Sequence, residues 1–224
     1  MLSAILFDLD GTLANTDPIH FKLWQNILRD YDIELDQDFY QQNISGNTNE
    51  QVVAKILPEL SAQEGQQMGI DKEAMYRNQA KTLSPTPGLE RIIKLTDEIP
   101  LKRAVVTNAP RENAEHMLEA LQLTQTFPIV VVSADAPPGK PDPAPYQLGL
   151  ERVGVNSNDA IAFEDSTTGI SSAVAAGIYT IGVASTHDPQ LLLDAGASMV
   201  IKDFNDPQLW EFLDQQTSSV IMAK

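Results

Sequence analysis

The chain predicts an α/β fold: a Rossmann-like, doubly wound parallel sheet as core, with an all-helical domain inserted after the first strand. Three observations lead there. Short β-branched apolar runs alternate with helical stretches from residue 89 to residue 201, the texture of a parallel sheet covered on both faces. A separate apolar run at Ile5 to Phe7 opens the chain and stops at the carboxylates of Asp8 and Asp10. Between the two, residues 15–83 carry helical spacings and no convincing strand.

In chain order, Leu6-Phe7-Asp8-Leu9-Asp10-Gly11-Thr12-Leu13 reads as a buried strand running into a turn. Alternation along an extended segment puts Asp8 and Asp10 on one side and Leu9 on the other, and Gly11 permits the sharp turn. Thr16 or Asp17 can cap a helix with Pro18 at its first position, and His20, Leu23, Trp24, Ile27 and Tyr31 recur on it at helical spacing. Helices are expected at Glu50–Leu57 and Ala62–Lys81, ended by the breaker Ser84-Pro85-Thr86-Pro87-Gly88. Then come a helix at Leu89–Leu95, a strand at Ala104–Val106, a helix at Arg111–Leu121 and a strand at Ile129–Val132. A helix at Pro143–Val153, a strand at Ala160–Phe163, a helix at Thr168–Ala176 and strands at Thr180–Val183 and Met199–Ile201 complete the series. The first strand must join this sheet, because alone it could not satisfy its backbone. The expected division is therefore a core of residues 1–14 and 84–224 and an inserted helical domain of residues 15–83. No element is assigned after Leu213, where a polar stretch ends in Val220-Ile221-Met222.

A formal charge of −16 argues against a nucleic-acid surface, which needs a basic face. It also means that an anionic substrate must be attracted locally, against the field of the whole molecule. With no cysteine, disulfides, thiolate metal sites and thiol catalysis are excluded. No apolar run approaches the ~20 residues of a membrane span, and no basic leader precedes the first strand, so no membrane partner and a cytoplasmic location are expected. Nothing in the sequence demands more than a monomer.

Ligands of open α/β sheets bind at the carboxyl ends of the strands. After the first strand come Asp8 and Asp10; after Ala104–Val106 come Thr107 and Asn108, immediately before an expected helix. A hydroxyl, an amide and free N–H groups there make an anion cradle. Lys140 follows the next strand on a connection stiffened by Pro141 and Pro143, and Glu164-Asp165-Ser166 follows Ala160–Phe163. Singly, each has an ordinary reading: an acidic turn, a helix cap, a surface lysine, a solvated loop edge. Together they bring carboxylates, a hydroxyl and a lysine to one rim, a set suited to binding a divalent cation, holding a phosphate and attacking it.

Asp8-x-Asp10-Gly11-Thr12, Thr107-Asn108, Lys140-Pro141 and Glu164-Asp165 resemble, in order, the four motifs of the haloacid dehalogenase superfamily. The helical insertion after the first motif resembles its C1-capped subgroup, which includes β-phosphoglucomutases and phosphoglycolate and sugar-phosphate phosphatases. The resemblance implies Asp8 as nucleophile, forming an aspartyl phosphate, and Asp10 as general acid and base. It implies Mg²⁺ held by Asp8, the Asp10 carbonyl and Asp165, with Glu164 close by. Thr107 and Lys140, with Asn108 beside them, would hold the phosphoryl oxygens.

The same resemblance places substrate-facing residues in the insertion. His20 and Trp24 share a helix face and match positions where the histidine tunes the acid/base aspartate. Gly46-Asn47-Thr48-Asn49 resembles the specificity loop, and Lys72 matches a cap lysine that approaches substrate. The mutases carry in that loop an arginine that grips a second phosphate, whereas here the position is Asn49. A mutase must hold a bisphosphate, a task suited to a bidentate guanidinium. The expected activity is thus Mg²⁺-dependent hydrolysis of a small sugar or organic phosphate monoester, with a phosphosugar mutase as the alternative. A receiver module, whose phosphorylated Asp follows the third strand, fits the motif order poorly.

Overall fold

The computed structural model describes residues 2–221, and side chains through Thr217. Six parallel strands stand in the order β3-β2-β1-β4-β5-β6: β1 (Ala4–Phe7), β2 (Lys102–Val106), β3 (Val130–Val131), β4 (Ala160–Glu164), β5 (Tyr179–Val183) and β6 (Met199–Ile201). The helices are α1 (Asp17–Arg29), α2 (Gln37–Asn43), α3 (Asn49–Ile56), α4 (Ala62–Gln79), α5 (Leu89–Glu98), α6 (Arg111–Ala120), α7 (Ala144–Val153), α8 (Thr167–Ala175), α9 (Pro189–Asp194) and α10 (Pro207–Ile221). β1 lies between β2 and β4, with Phe7 level with Val105 and Phe163. The order reverses at β1, so this strand's carboxyl end opens on the crevice where such sheets bind ligands.

Alternation along the strands sorts the core into two layers. Ile5, Phe7, Val105, Ile161, Phe163 and Ile181 face α5, α6 and α10 through Leu89, Ile92, Met117, Leu118, Leu209 and Leu213. Ala4, Leu6, Ala104, Val106, Ala160 and Ala162 face α7 and α8 through Tyr146, Leu150, Val153 and Ala173. Phe7 stacks on Phe163 at 5.4 Å and both meet Phe204. Burying each such ring contributes roughly 1.5–3 kcal/mol, which fixes the strand ends that carry the site.

The helices α1 to α4 enclose a core of their own, built from Trp24, Leu28, Leu35, Tyr40, Ile44, Val52, Val53 and Leu57. Leu23, Tyr76 and Ala80 instead join the core beneath β1, so α1 and the end of α4 anchor the block to the sheet domain. α3 and α4 each begin with a capping box, Thr48 with Gln51 and Ser61 with Glu64.

Several details depart from the sequence reading. Thr16 occupies the N-cap position of α1 but makes no capping bond; its hydroxyl donates to Asp10 instead. α1 stops at Arg29, leaving Tyr31 outside it and exposed. α6 starts at Arg111 behind Pro110, so Thr107-Asn108 lies in a turn before the helix. β3 is confined to Val130–Val131. α2 and α9 were not anticipated, and α10 continues through Val220 and Ile221; Met222 lies outside the described residues.

Candidate active site

The ends of β1, β2 and β4 meet in one buried knot of charge. Asp8 follows β1, where its N–H donates to Phe163 O at 2.9 Å. Glu164 ends β4 and Asp165 follows it; carboxylate oxygens of Asp8, Glu164 and Asp165 lie within 4.8 Å of one another, all three residues buried. Gly11 turns the chain over this cluster with φ +84°, and a Cβ there would stand 2.0 Å from Asp165 Oδ2. Only glycine meets both demands.

Lys140 reaches the cluster from the connection between β3 and α7. Its Nζ donates to Asp8 Oδ1 at 2.6 Å, Glu164 Oε1 at 2.5 Å and Val106 O at 2.8 Å. Three donors are all an ammonium has, so Lys140 meets an incoming anion chiefly through its charge. Tyr146 donates to Glu164 Oε1 at 2.7 Å and Ser166 to Oε2 at 3.3 Å. Glu164 is thereby the fixed seat of Lys140. Thr186 donates to Asp165 Oδ2 at 2.5 Å.

One ammonium among three buried carboxylates leaves a deficit of positive charge. Burial pushes Asp8 up to about 8; Lys140 opposes this, and Glu164 and Asp10 add to it. Burial, then Asp8 and Glu164, also hold Asp165 well above the usual carboxylate range, against the hydrogen bond from Thr186. Such a set of convergent hard oxygens fits a divalent cation, which relieves the repulsion the fold imposes.

The Asp10 side chain stands apart from this trio. Its Oδ1 accepts from Thr16 Oγ1 at 2.7 Å and lies 3.4 Å from His20 Nε2. Burial opposes its ionisation, but His20, Thr16 and Lys72 outweigh that and lower its pKa. His20 Nδ1 lies 2.8 Å from Lys72 Nζ, and the ring stacks on Tyr76 at 4.3 Å. An ammonium only donates, so Nδ1 is the acceptor, which places the neutral ring's proton on Nε2, towards Asp10.

Thr107 is buried, and its Oγ1 accepts from Ala109 N at 2.9 Å, which leaves the O–H to donate into the cleft. Asn108 does different work from that expected of an anion cradle. Its amide donates to Gly46 O at 3.1 Å and Lys140 O at 3.3 Å and accepts from Lys140 N at 2.9 Å, tying three loops together. Gly46 O also accepts from Thr168 Oγ1 at 3.1 Å. Asn47 braces the same loop through Ser45 O, and Thr48 caps α3. Trp24 is buried in the helical block and lines the cleft, with Lys72 Nζ over its ring at 5.8 Å from the centroid. Asn49 and Lys72 both bind Glu73 Oε1, at 2.6 and 2.8 Å.

The sequence reading missed Glu73, Asn113 and Asp17, which also line the cleft. Glu73 accepts from Asn113 on α6 as well, and Arg77 donates to Asn113 Oδ1 at 2.6 Å. These partners are separated by tens of residues, and no local pattern announces them. The cleft encloses ≈ 130 Å³, well below the ~300 Å³ at which pockets for drug-sized ligands begin.

Residues 5–183 match the family model described as haloacid dehalogenase-like hydrolase. The chain is 29% identical over 208 residues to the phosphorylated carbohydrates phosphatase of Thermotoga maritima, covering 90% of this chain and 94% of that one. It is 28% identical over 207 residues to the validoxylamine A 7'-phosphate phosphatase of Streptomyces hygroscopicus, covering 92% and 96%. The β-phosphoglucomutase of Bacillus subtilis is 27% identical over 214 residues, covering 92% and 91%. Among solved structures, a HAD hydrolase from Entamoeba histolytica superposes with a TM-score of 0.84 at 27% identity, covering 96% and 100%. The four strand ends, their order in the chain and these likenesses agree: the chain belongs to the haloacid dehalogenase-like hydrolases.

Proposed function

We propose that the protein is a Mg²⁺-dependent phosphatase that hydrolyses a small sugar or organic phosphate monoester through an aspartyl phosphate on Asp8. The observation that carries this reading is the separation of the two carboxylates of the first motif. Asp8 sits in the cation-hungry cluster with Lys140, while Asp10 is held outside it by Thr16 and His20. A nucleophile and a proton carrier need those two environments.

Lys140 engages Asp8 Oδ1, which leaves Oδ2 to attack phosphorus as the bond to the leaving alkoxide oxygen breaks. Asp10, protonated, gives its proton to that oxygen. In the second step Asp10 takes a proton from water, whose oxygen attacks phosphorus and frees Asp8 and orthophosphate. Ionised, Asp10 is the base of the second step; a phosphate dianion arriving beside it favours the protonated form the first step needs. Asp8, Asp165 and the Asp10 carbonyl, with Glu164 behind them, would hold Mg²⁺, which supplies charge neutralisation between the anionic nucleophile and the anionic ester. Thr107 O–H donates to a phosphoryl oxygen, and Lys140 balances the charge of Asp8 and phosphate together.

We take residues 15–83 as the cap over this site and residues 1–14 and 84–224 as the catalytic core. The phosphatase relatives from Thermotoga and Streptomyces support hydrolysis. A mutase would need to grip a second phosphate, and the residues lining the cleft include no arginine.

The test is phosphate release from a panel of sugar, polyol and glycolate phosphates, with and without Mg²⁺, in the wild type and in Asp8→Asn. Hydrolysis of at least one ester is expected, lost on chelation, and reduced more than about a thousandfold in the variant with its circular dichroism unchanged. Retention of a tenth of the activity by the variant would exclude the mechanism.

A further inference from the structure

The cap side of the cleft holds Lys72 as its cation, and that charge is already matched. Lys72 is buried and gives one N–H to Glu73 Oε1 at 2.8 Å and one to His20 Nδ1 at 2.8 Å. The single N–H that remains suits a neutral oxygen acceptor. Glu73 is buried too and stays ionised. Burial opposes its charge, but the Lys72 ammonium and the hydrogen bonds from Lys72 and Asn49 outweigh that and lower its pKa.

Asn49 is committed in a way that settles its orientation. A carboxylate only accepts, so the Asn49 amide nitrogen faces Glu73 and its carbonyl oxygen is the end left for a ligand. Asp17 adds a further acceptor: its Oδ1 is held by Tyr40 O–H at 3.0 Å, while Oδ2 is buried without a partner. Glu50, exposed, also lines the cleft. Beyond the phosphate subsite the cleft therefore offers these acceptors and one neutralised ammonium, beside the neutral polar groups of Ser45, Asn47 and Thr48.

From this arrangement, and resting on the phosphatase reading above, we infer that the leaving group is a neutral polyhydroxy alcohol. Glu73 sets that specificity by tying up Lys72 and Asn49, so an ester with a second phosphate or a carboxylate is rejected. Hydroxyl donors satisfy Asp17 Oδ2 and Asn49 Oδ1. A second anion would meet carboxylates with no free cation, and like charges so placed discriminate strongly. Glu73 acts through its neighbours and is a positioning residue.

Matched pairs test this: glycerol 3-phosphate against 3-phosphoglycerate, and glucose 6-phosphate against glucose 1,6-bisphosphate, read as phosphate release in Mg²⁺. At least one neutral member should exceed its anionic partner in kcat/KM by about 100-fold. In Glu73→Gln that ratio should shrink about tenfold or more, chiefly through a lower KM for the anionic ester. Should Glu73→Gln fail to fold, Lys72→Met removes the neutralised cation and leaves Glu73 in place, and the ratio should widen. Comparable efficiency on both members of each pair in the wild type, or a ratio unmoved in the folded variant, would overturn the inference while leaving the phosphatase standing. Release of phosphate from none of these esters or of the earlier panel would instead overturn the phosphatase reading itself.

Discussion

At the scale of single residues, the site is a problem of too much negative charge in too little water. Asp8 is pushed up to about 8 by burial, although Lys140 pulls the other way. Its ordinary value is 3.8, so the folded protein without a cation binds more protons than the unfolded chain between those limits. The stability this contributes is fully present below the unfolded pKa and is lost as pH rises through the folded one. In a chelator, the melting temperature should accordingly fall from pH 5 to pH 8.5. Mg²⁺ at about 100 times its Kd should raise it by roughly 5–10 °C at pH 8, and by much less at pH 5, where protons compete for the same oxygens. Calorimetry at the two pH values checks this; a Mg²⁺ shift independent of pH would mean that these carboxylates do not bind the cation. Asp8, Asp10, Thr107, Glu164 and Asp165 were legible as candidate chemistry because each stands at or just behind an apolar run, and Lys140 because prolines stiffen the connection that carries it. The split of Asp8 from Asp10 was legible only as alternation along a strand; their partners, Lys140 for one and Thr16 with His20 for the other, needed the fold.

Among the elements, the loop from Gly46 to Asn49 ties the helical block to the sheet domain through Asn108 and Thr168. Gly46 has φ +76°, and a Cβ there would stand 2.4 Å from Thr168 Oγ1, the same hydroxyl that donates to its carbonyl. Gly46→Ala should therefore cost about 1 kcal/mol or more in backbone conformation and hold the loop off Thr168 and Asn108. kcat/KM should fall about tenfold or more, as small misplacements at reacting groups do, while the core melts nearly as before. Steady-state kinetics beside a thermal melt would show this; wild-type kinetics would remove the loop from the closing contact. The sequence located α1, α4 and α7 to within a few residues, α1 by its apolar spacing and α4 and α7 by the breakers and strands on either side. α2 escaped because it is short and polar, with Tyr40 its buried side chain, and α9 because it is shorter still. α10 had a signal in Pro207, Leu209 and Leu213, but the polar stretch behind Leu213 hides it.

For the whole molecule, a formal charge of −16 makes compactness electrostatically expensive. Added KCl should raise the melting temperature by about 2–5 °C between 20 and 300 mM as self-repulsion is screened. A melting temperature that stayed constant or fell would place the stabilising charges in local pairs instead. The sequence by itself determined the α/β core, the helical insertion and the order in which four strand ends deliver their chemistry. It could do so because strand alternation, turn glycines and apolar runs are local properties, and a parallel sheet converts their order into position. Only the tertiary structure decided which polar groups neutralise which. That Lys140 is spent on Asp8, Glu164 and Val106, that Asn108 binds loops together, and that Glu73 claims Lys72 and Asn49 all depend on buried pairings across long separations. Such pairings are set by packing and desolvation, which no spacing in a single chain records.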